Sequence, residues 1–300
     1  MRVLVTGASG FVGHAACREL LARGHDVRAL VRRAGSEPEG TSAVAGDLTD
    51  AGALAAAVRE ATPEGVLHLA ADIASQRSAE RVREVNVEGM RRLLDACAAG
   101  GAPKVVFTST VVTGEADGAL LTEDAPLPVQ TPYGRSKQEG EALLLGCGLP
   151  AVVIRPGHIY GPGGWYEHEM LARLRQPGRF AVIGRGDNLW DVVHVDDVAR
   201  ALVDALERAP AGEVYHAADD EPIAYYDFMA LSAQALGVGP PRRIPAWVAR
   251  LAAGSSAVTA VVRSARTSNA KLKRELGWAP RYPSARDGVP ATVAALRAAP

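Results

Sequence analysis

Three hundred residues, 48% hydrophobic and 22% charged, can bury a large core as one α/β domain or as a domain with a smaller companion. The formal net charge of −1 gives no global basic field, so nucleic acid is not an expected partner. No apolar run reaches the roughly 18 residues of a membrane span, and the chain opens on the strand-like MRVLVTG; a cytoplasmic protein without signal peptide or membrane partner is expected.

The first half alternates strand and helix. RVLVT (2–6) reads as a buried strand, 11–23 as a helix and DVRALV (26–31) as a second strand. SAVAG leads into GDLTD, an alanine-rich helix follows, and GVLHLA (65–70) is the next strand. A helical stretch over about 78–99 precedes KVVFTST (104–110); a helix from about 133 to 146 and the strand AVVIRP (151–156) complete the series. Crossovers of this length predict a parallel, doubly wound α/β sheet covered on both faces. The second half is less regular: a Gly- and aromatic-rich GPGGWYEHEM, a strand and amphipathic helix in VVHVDDVARALVDALERA, the strand GEVYHAAD, and a mixed tail ending near LGWAPRYP. The expected layout is a nucleotide-binding domain over 1–157 plus about 191–217, with an interleaved, smaller cap over about 158–190 and 218–300.

Cys17, Cys97 and Cys147 form no CxxC pair and read as reduced, mostly buried thiols. The seven histidines show no HxxxH or HExxH spacing, so no metal is expected.

TGASGFVG (6–13) stands between the first strand and the first helix, where a dinucleotide pyrophosphate is usually held. Gly7 permits the tight turn, Gly10 lets backbone approach the phosphates and Gly13 lets helix and sheet close; Ser9, Phe11 and Val12 complete the candidate contacts. The acid that NAD binders carry roughly 20 residues on is missing: the end of the second strand reads Val31, Arg32, Arg33. A valine cannot accept from ribose hydroxyls, whereas an arginine fork suits a 2′-phosphate, so NADP(H) is the preferred cofactor and NAD(H) the second choice. Asp47 and Leu48 stand where an adenine edge would lie, Asp47 accepting from the exocyclic amine and Leu48 packing on the ring; Asp47 could equally be the N-cap of the next helix.

Only four lysines occur in the chain, and Lys137 follows Tyr133 by four positions, on one face of the expected helix. A free phenol titrates near 10, and a neighbouring ammonium would bring it towards the working range. A compact cation on a flexible stem can also reach cofactor ribose hydroxyls, which a planar guanidinium does poorly.

TGASGFVG, GDLTD, HLAA (68–71), VNVEG (85–89), TSTVVTG, YGRSK, RPGHIYGPG and HVDDVA together resemble the extended short-chain dehydrogenase/reductase family, the NAD(P)-dependent epimerase/dehydratase-like proteins. The resemblance implies Tyr133 as general acid/base, Lys137 as its modulator and ribose ligand, and Ser109, five before the glycine of TSTVVTG, as hydrogen-bond donor to the substrate oxygen, with Thr108 and Thr110 flanking it. It implies a site-organising role for Asn86, cofactor contacts at Leu69, Ala70 and Ala71, and Pro156, Gly157 and His158 facing the nicotinamide. His158 stands where the family often has asparagine. Members often dimerise through helices matching 78–99 and 133–146, which here would make a homodimer with a four-helix contact.

Departures from the family pattern address the reaction. The Asp-Glu pair of sugar-nucleotide dehydratases is replaced by Thr110 and Val111, and the arginine that meets a substrate pyrophosphate by Trp190. Trp165 and Tyr166 follow in a loop that commonly lines the substrate pocket. The expectation is an NADP(H)-dependent reductase of a relatively apolar or aromatic carbonyl substrate, resembling the dihydroflavonol- and hydroxysteroid-type branch. The alternatives are an NAD-dependent sugar or sugar-nucleotide epimerase and a non-catalytic dinucleotide sensor.

Overall fold

Runs such as RVLVT and KVVFT are apolar at successive positions, which suits strands covered on both faces. The computed structural model describes residues 1–73, 78–113, 116–127, 129–176, 178, 180–253, 258 and 261–298. Its strands are β1 (Arg2–Thr6), β2 (Asp26–Val31), β3 (Ser42–Ala45), β4 (Gly65–His68), β5 (Lys104–Thr108), β6 (Leu120–Leu121), β7 (Ala151–Pro156), β8 (His158–Tyr160), β9 (Ala181–Ile183), β10 (Leu189–Trp190), β11 (Val192–His194), β12 (Glu213–Ala217), β13 (Ile223–Ala224), β14 (Arg242–Ile244) and β15 (Arg266–Thr267). Seven form one parallel sheet in the order β12-β7-β5-β4-β1-β2-β3, with the direction of winding reversing between β1 and β4. This is the Rossmann-like, doubly wound α/β sheet that the alternation predicts.

The helices of the first part are α1 (Phe11–Ala22), α2 (Ala51–Ala61), α3 (Ala79–Arg83), α4 (Gly89–Ala99) and α5 (Pro132–Gly146); α6 (Ala172–Leu174), α7 (Val195–Arg208) and α8 (Tyr225–Leu236) follow. Alternate strand residues feed two cores. Val3 and Val5 of β1 face α1 and α7 through Ala16, Leu20, Leu202 and Leu206, whereas Leu4 faces α2 and α4 through Leu54, Val58 and Leu93. Between α3 and α4 the helix runs through a π-turn, Glu84–Glu88.

A third core gathers second-half residues, among them Tyr160, Tyr166, Trp190, Phe228 and Val289. Strand β11, read from VVHV, pairs with β8 outside the main sheet, while β12 occupies the sheet's edge beside β7. The tail returns to the sheet: Leu272, Leu276 and Trp278 join the α1–α7 core, and the Trp278 Nε1 donates to the Asp197 carbonyl at 3.1 Å. Among the described residues no helix is long and apolar enough to cross a membrane.

Candidate active site

The carboxyl ends of β1, β2, β4, β5 and β7 open into a cleft of about 760 Å³, at the crevice where a doubly wound sheet binds its ligand. Gly7, with φ of 71°, makes the first turn, and a Cβ there would stand 2.7 Å from the Ala70 amide nitrogen. A Cβ on Gly13 would stand 2.1 Å from the Gly7 carbonyl oxygen, so that glycine is fixed by helix–strand contact. Gly10 is the N-cap of α1 and brings no side-chain cap, and the first turn holds no acid. The orphan amides and dipole end of α1 therefore meet the cleft with Ser9, Gly10, Phe11, Val12 and Gly13 in its wall. This arrangement fits the pyrophosphate of a nicotinamide dinucleotide.

Leu69, Ala70 and Ala71 form the opposite wall, and Val31, Arg32, Asp47 and Leu48 the far end. Arg33 is exposed and lines no part of the cleft; its carbonyl instead accepts from Ser36 Oγ, so of the two expected arginines only Arg32 faces the site. The N-cap alternative for Asp47 is not realised either. Asp50 caps α2 by accepting from the Ala53 amide, while Asp47 accepts from the amide and hydroxyl of Thr49. Those bonds, with Arg32 and Arg81 nearby, hold the Asp47 carboxyl below its ordinary value. Arg81, on α3, also lines this end and pairs with Asp72 at 3.5 Å. Sequence reasoning missed it because nothing in a lone arginine of an exposed helix marks a cleft.

Tyr133 sits in the first turn of α5 because Thr131 caps the helix, accepting from the Gly134 amide at 3.0 Å, and Pro132 takes the first helical position. One turn on, the Lys137 Nζ donates to the Thr108 carbonyl at 2.7 Å and lies 5.7 Å from the Tyr133 ring centre. Both line the cleft, as do Thr108, Ser109 and Thr110. The electrostatics differ from the expected acidified phenol. Burial raises the Tyr133 phenol above its ordinary value. Burial also pulls Lys137 down to about 7, against a smaller upward pull from Glu141. Glu141 continues the same helix face and is bound to Arg155 at 2.6 Å, a part-buried pair that periodicity alone did not flag.

Of the three hydroxyls at the end of β5, Thr110 Oγ1 is engaged by the Val112 amide at 2.9 Å, and the buried Thr108 hydroxyl has no hydrogen-bond partner among the described residues. Ser109 is held through its amide, which donates to the Ile154 carbonyl at 2.7 Å. Gly114, the glycine that sets the register for Ser109, lies outside the described residues. Asn86 does not line the cleft but stands behind it, on the π-turn. Its Oδ1 accepts from the Asp72 amide at 2.7 Å, and its Nδ2 donates to Ser136 Oγ at 3.0 Å. Ser136 Oγ in turn donates to the Tyr133 carbonyl, so Asn86 ties the Ala70–Asp72 wall to the turn that carries the phenol. Asn86→Ala takes the Asn86 acceptor from the Asp72 amide and one of two partners from Ser136 Oγ, and is expected to cost about 1–3 kcal/mol of stability, read by urea unfolding.

At the substrate end Pro156, Gly157, His158 and Trp165 line the cleft. Trp190 does not: it is 4% exposed, stacks flat on His158 at 4.4 Å and donates Nε1 to the Val261 carbonyl. It is the floor under His158 rather than an expected substrate contact. Tyr166 is likewise absent from the wall; it is fully buried, and its hydroxyl is paired with Ser232 Oγ at 2.8 Å. An aromatic-rich loop signals packing and pocket walls alike, and only Trp165 of that pair faces the cleft. Asp191 and Arg263, buried behind His158, were not anticipated.

The model of the NAD dependent epimerase/dehydratase family matches residues 3–218. A 3-diazoavenalumate denitrifying reductase from Streptomyces is 35% identical over 96% of this chain and 99% of its own. A 2-alkyl-3-oxoalkanoate reductase from Stenotrophomonas maltophilia is 33% identical over 81% of this chain and 77% of its own. Among solved structures, the Thermus thermophilus UDP-glucose 4-epimerase complex with NAD superposes with a TM-score of 0.82, at 30% identity and covering 100% of both chains. With a family match over more than two thirds of its length and a reductase 35% identical along nearly all of it, this chain belongs to the NAD-dependent epimerase/dehydratase family, the extended short-chain dehydrogenase/reductases, and is an NAD(P)-dependent oxidoreductase.

Proposed function

We propose that the chain is an NADP(H)-dependent reductase that converts a carbonyl of a relatively apolar or aromatic small molecule to the alcohol, or runs the reverse oxidation. The observation that carries this reading is one cleft lined by Tyr133, Lys137 and Ser109 together with the glycine turn and Arg32. NADPH, when bound, supplies the hydride. Tyr133 gives its proton to the substrate oxygen, and its upward-shifted phenol is protonated at neutral pH, as a donor in the reducing direction must be. Ser109 donates to the same oxygen as charge develops, and Lys137 reaches the cofactor ribose. Arg32, with Arg81 beside it, meets the 2′-phosphate.

Apolar substrate character is supported by Trp165, Ile159 and Val112 in the wall and by Trp190 standing in place of a phosphate-binding arginine. The names of the two reductases above, which act on an avenalumate and an alkanoate derivative, point the same way. The second reading, a sugar-nucleotide epimerase with transient oxidation, is favoured by the full-length likeness to the Thermus enzyme. A panel of ketones, aldehydes and UDP-sugars with NADPH absorbance as readout separates the two. The reductase consumes NADPH with a carbonyl. An epimerase carries tightly held NAD(H) and shows no net absorbance change. We also propose that the second-half core forms the cap over the substrate end, and that α3, α4 and α5 mediate a homodimer, which light scattering tests.

A further inference from the structure

Arg263 belongs to the tail segment that runs into β15, yet it is 1% exposed. A buried guanidinium is costly unless its donors are met, and here they reach two separate elements. Nη1 donates to Asp191 Oδ1 at 3.1 Å, and Nη2 donates to the Val111 carbonyl at 3.0 Å. Asp191, also buried, faces His158 Nδ1 at 3.3 Å and accepts from the Thr267 hydroxyl through its second oxygen. The backbone around Arg263 is sewn to the β10 side: Asn188 Nδ2 donates to the Val261 and Arg263 carbonyls, and the Ala265 amide donates to the Leu189 carbonyl. From that anchored position the side chain crosses to the turn after β5, where the Val111 amide is tied to the Pro156 carbonyl and the Ser109 amide to the Ile154 carbonyl.

We propose that Arg263 is a positioning residue: its fork pins the Ser109–Thr113 turn and, through Asp191, the His158 ring, fixing the hydroxyl and the substrate wall in one geometry. The part of this that concerns turnover rests on the reductase reading above; the pinning of the turn does not.

Arg263→Lys and Arg263→Met test it. Three measurements are made on each: NADPH binding by fluorescence titration, NADPH-dependent reduction of 1-phenyl-1,2-propanedione, and amide hydrogen exchange across 109–113. The NADPH dissociation constant should stay within about twofold, because the glycine turn and Arg32 are remote from the change. Exchange across 109–113 should quicken by about tenfold or more in Arg263→Met. Its kcat should fall on the order of 10²-fold, the scale of a catalytic group displaced by about 1 Å, and Arg263→Lys should recover part of it. Unaltered exchange with unaltered kcat overturns the proposal. So does a loss of NADPH affinity equal to the loss in turnover, which would make Arg263 a part of the fold and nothing more. If neither variant folds, the wild type decides: the proposal requires the 109–113 amides to be protected like those of β5, and loop-like exchange there refutes it. A wild type inert towards the diketone counts against the reductase reading, while the exchange result still decides the pinning.

Discussion

Tyr133→Phe is expected to lower turnover by about 10²-fold or more, the scale of general acid catalysis, while NADPH binds nearly as before. The substitution removes one oxygen from the wall of the cleft and nothing from the helix. The Thr131 cap, Pro132 and the Lys137–Thr108 bond all remain. Only the proton is missing when the substrate oxygen becomes negative. A Ser109→Ala variant should lose activity less steeply, since a hydrogen-bond donor is lost but the proton source stays. Tyr133→Phe retaining wild-type turnover on whichever carbonyl the panel returns would remove the phenol from the mechanism.

Arg32→Ser is expected to weaken NADPH binding by about 10- to 100-fold, equivalent to the ~1.5–3 kcal/mol of hydrogen bonds to a charged group. NADH, which carries no 2′-phosphate, should change little. The contrast matters because Asp47 also stands at this end, near both Arg32 and Arg81. Removing Arg32 leaves Arg81 as the remaining cation of that wall among the described residues, so a residual NADPH preference in Arg32→Ser should vanish in the double variant with Arg81→Ser. Titration of both cofactors by tryptophan fluorescence is the measurement. Tighter NADH than NADPH in the wild type would sink the preference itself.

The sheet was readable because buried parallel strands are short apolar runs with few rivals: DVRALV and AVVIRP emerge with the bounds that the sequence suggests. The glycine turn was readable because its three glycines answer to steric demands, and the structure exhibits two of them as impossible Cβ contacts at Gly7 and Gly13. Position along a helix was readable too, since Tyr133 and Lys137 fall one turn apart on α5, as their spacing suggests. Depth was not. Whether an aromatic such as Trp190 or Tyr166 lines a cleft or lies one layer behind it depends on long-range packing that no local pattern encodes. VVH reads as a strand from its pattern, but that it pairs with β8 depends on the same long-range packing. Arg263 was invisible because its partners Asp191 and Val111 lie 72 and 152 positions away in sequence. The sign of the Tyr133 shift also escaped, because proximity to an ammonium is legible from spacing whereas desolvation is not.

The depressed Lys137 has a consequence for how acidity would be assigned. Its amine, at about 7 against an ordinary 10.5, is the member of the pair that changes charge near neutrality, while the phenol stays protonated there. Between those two values the unfolded chain holds this proton and the native chain releases it, so this site adds stability as the solution becomes more alkaline. An ionisation of this pair near pH 7 in the apo protein would thus belong to nitrogen, not to oxygen, and Lys137→Met should abolish that step where Tyr133→Phe leaves it in place.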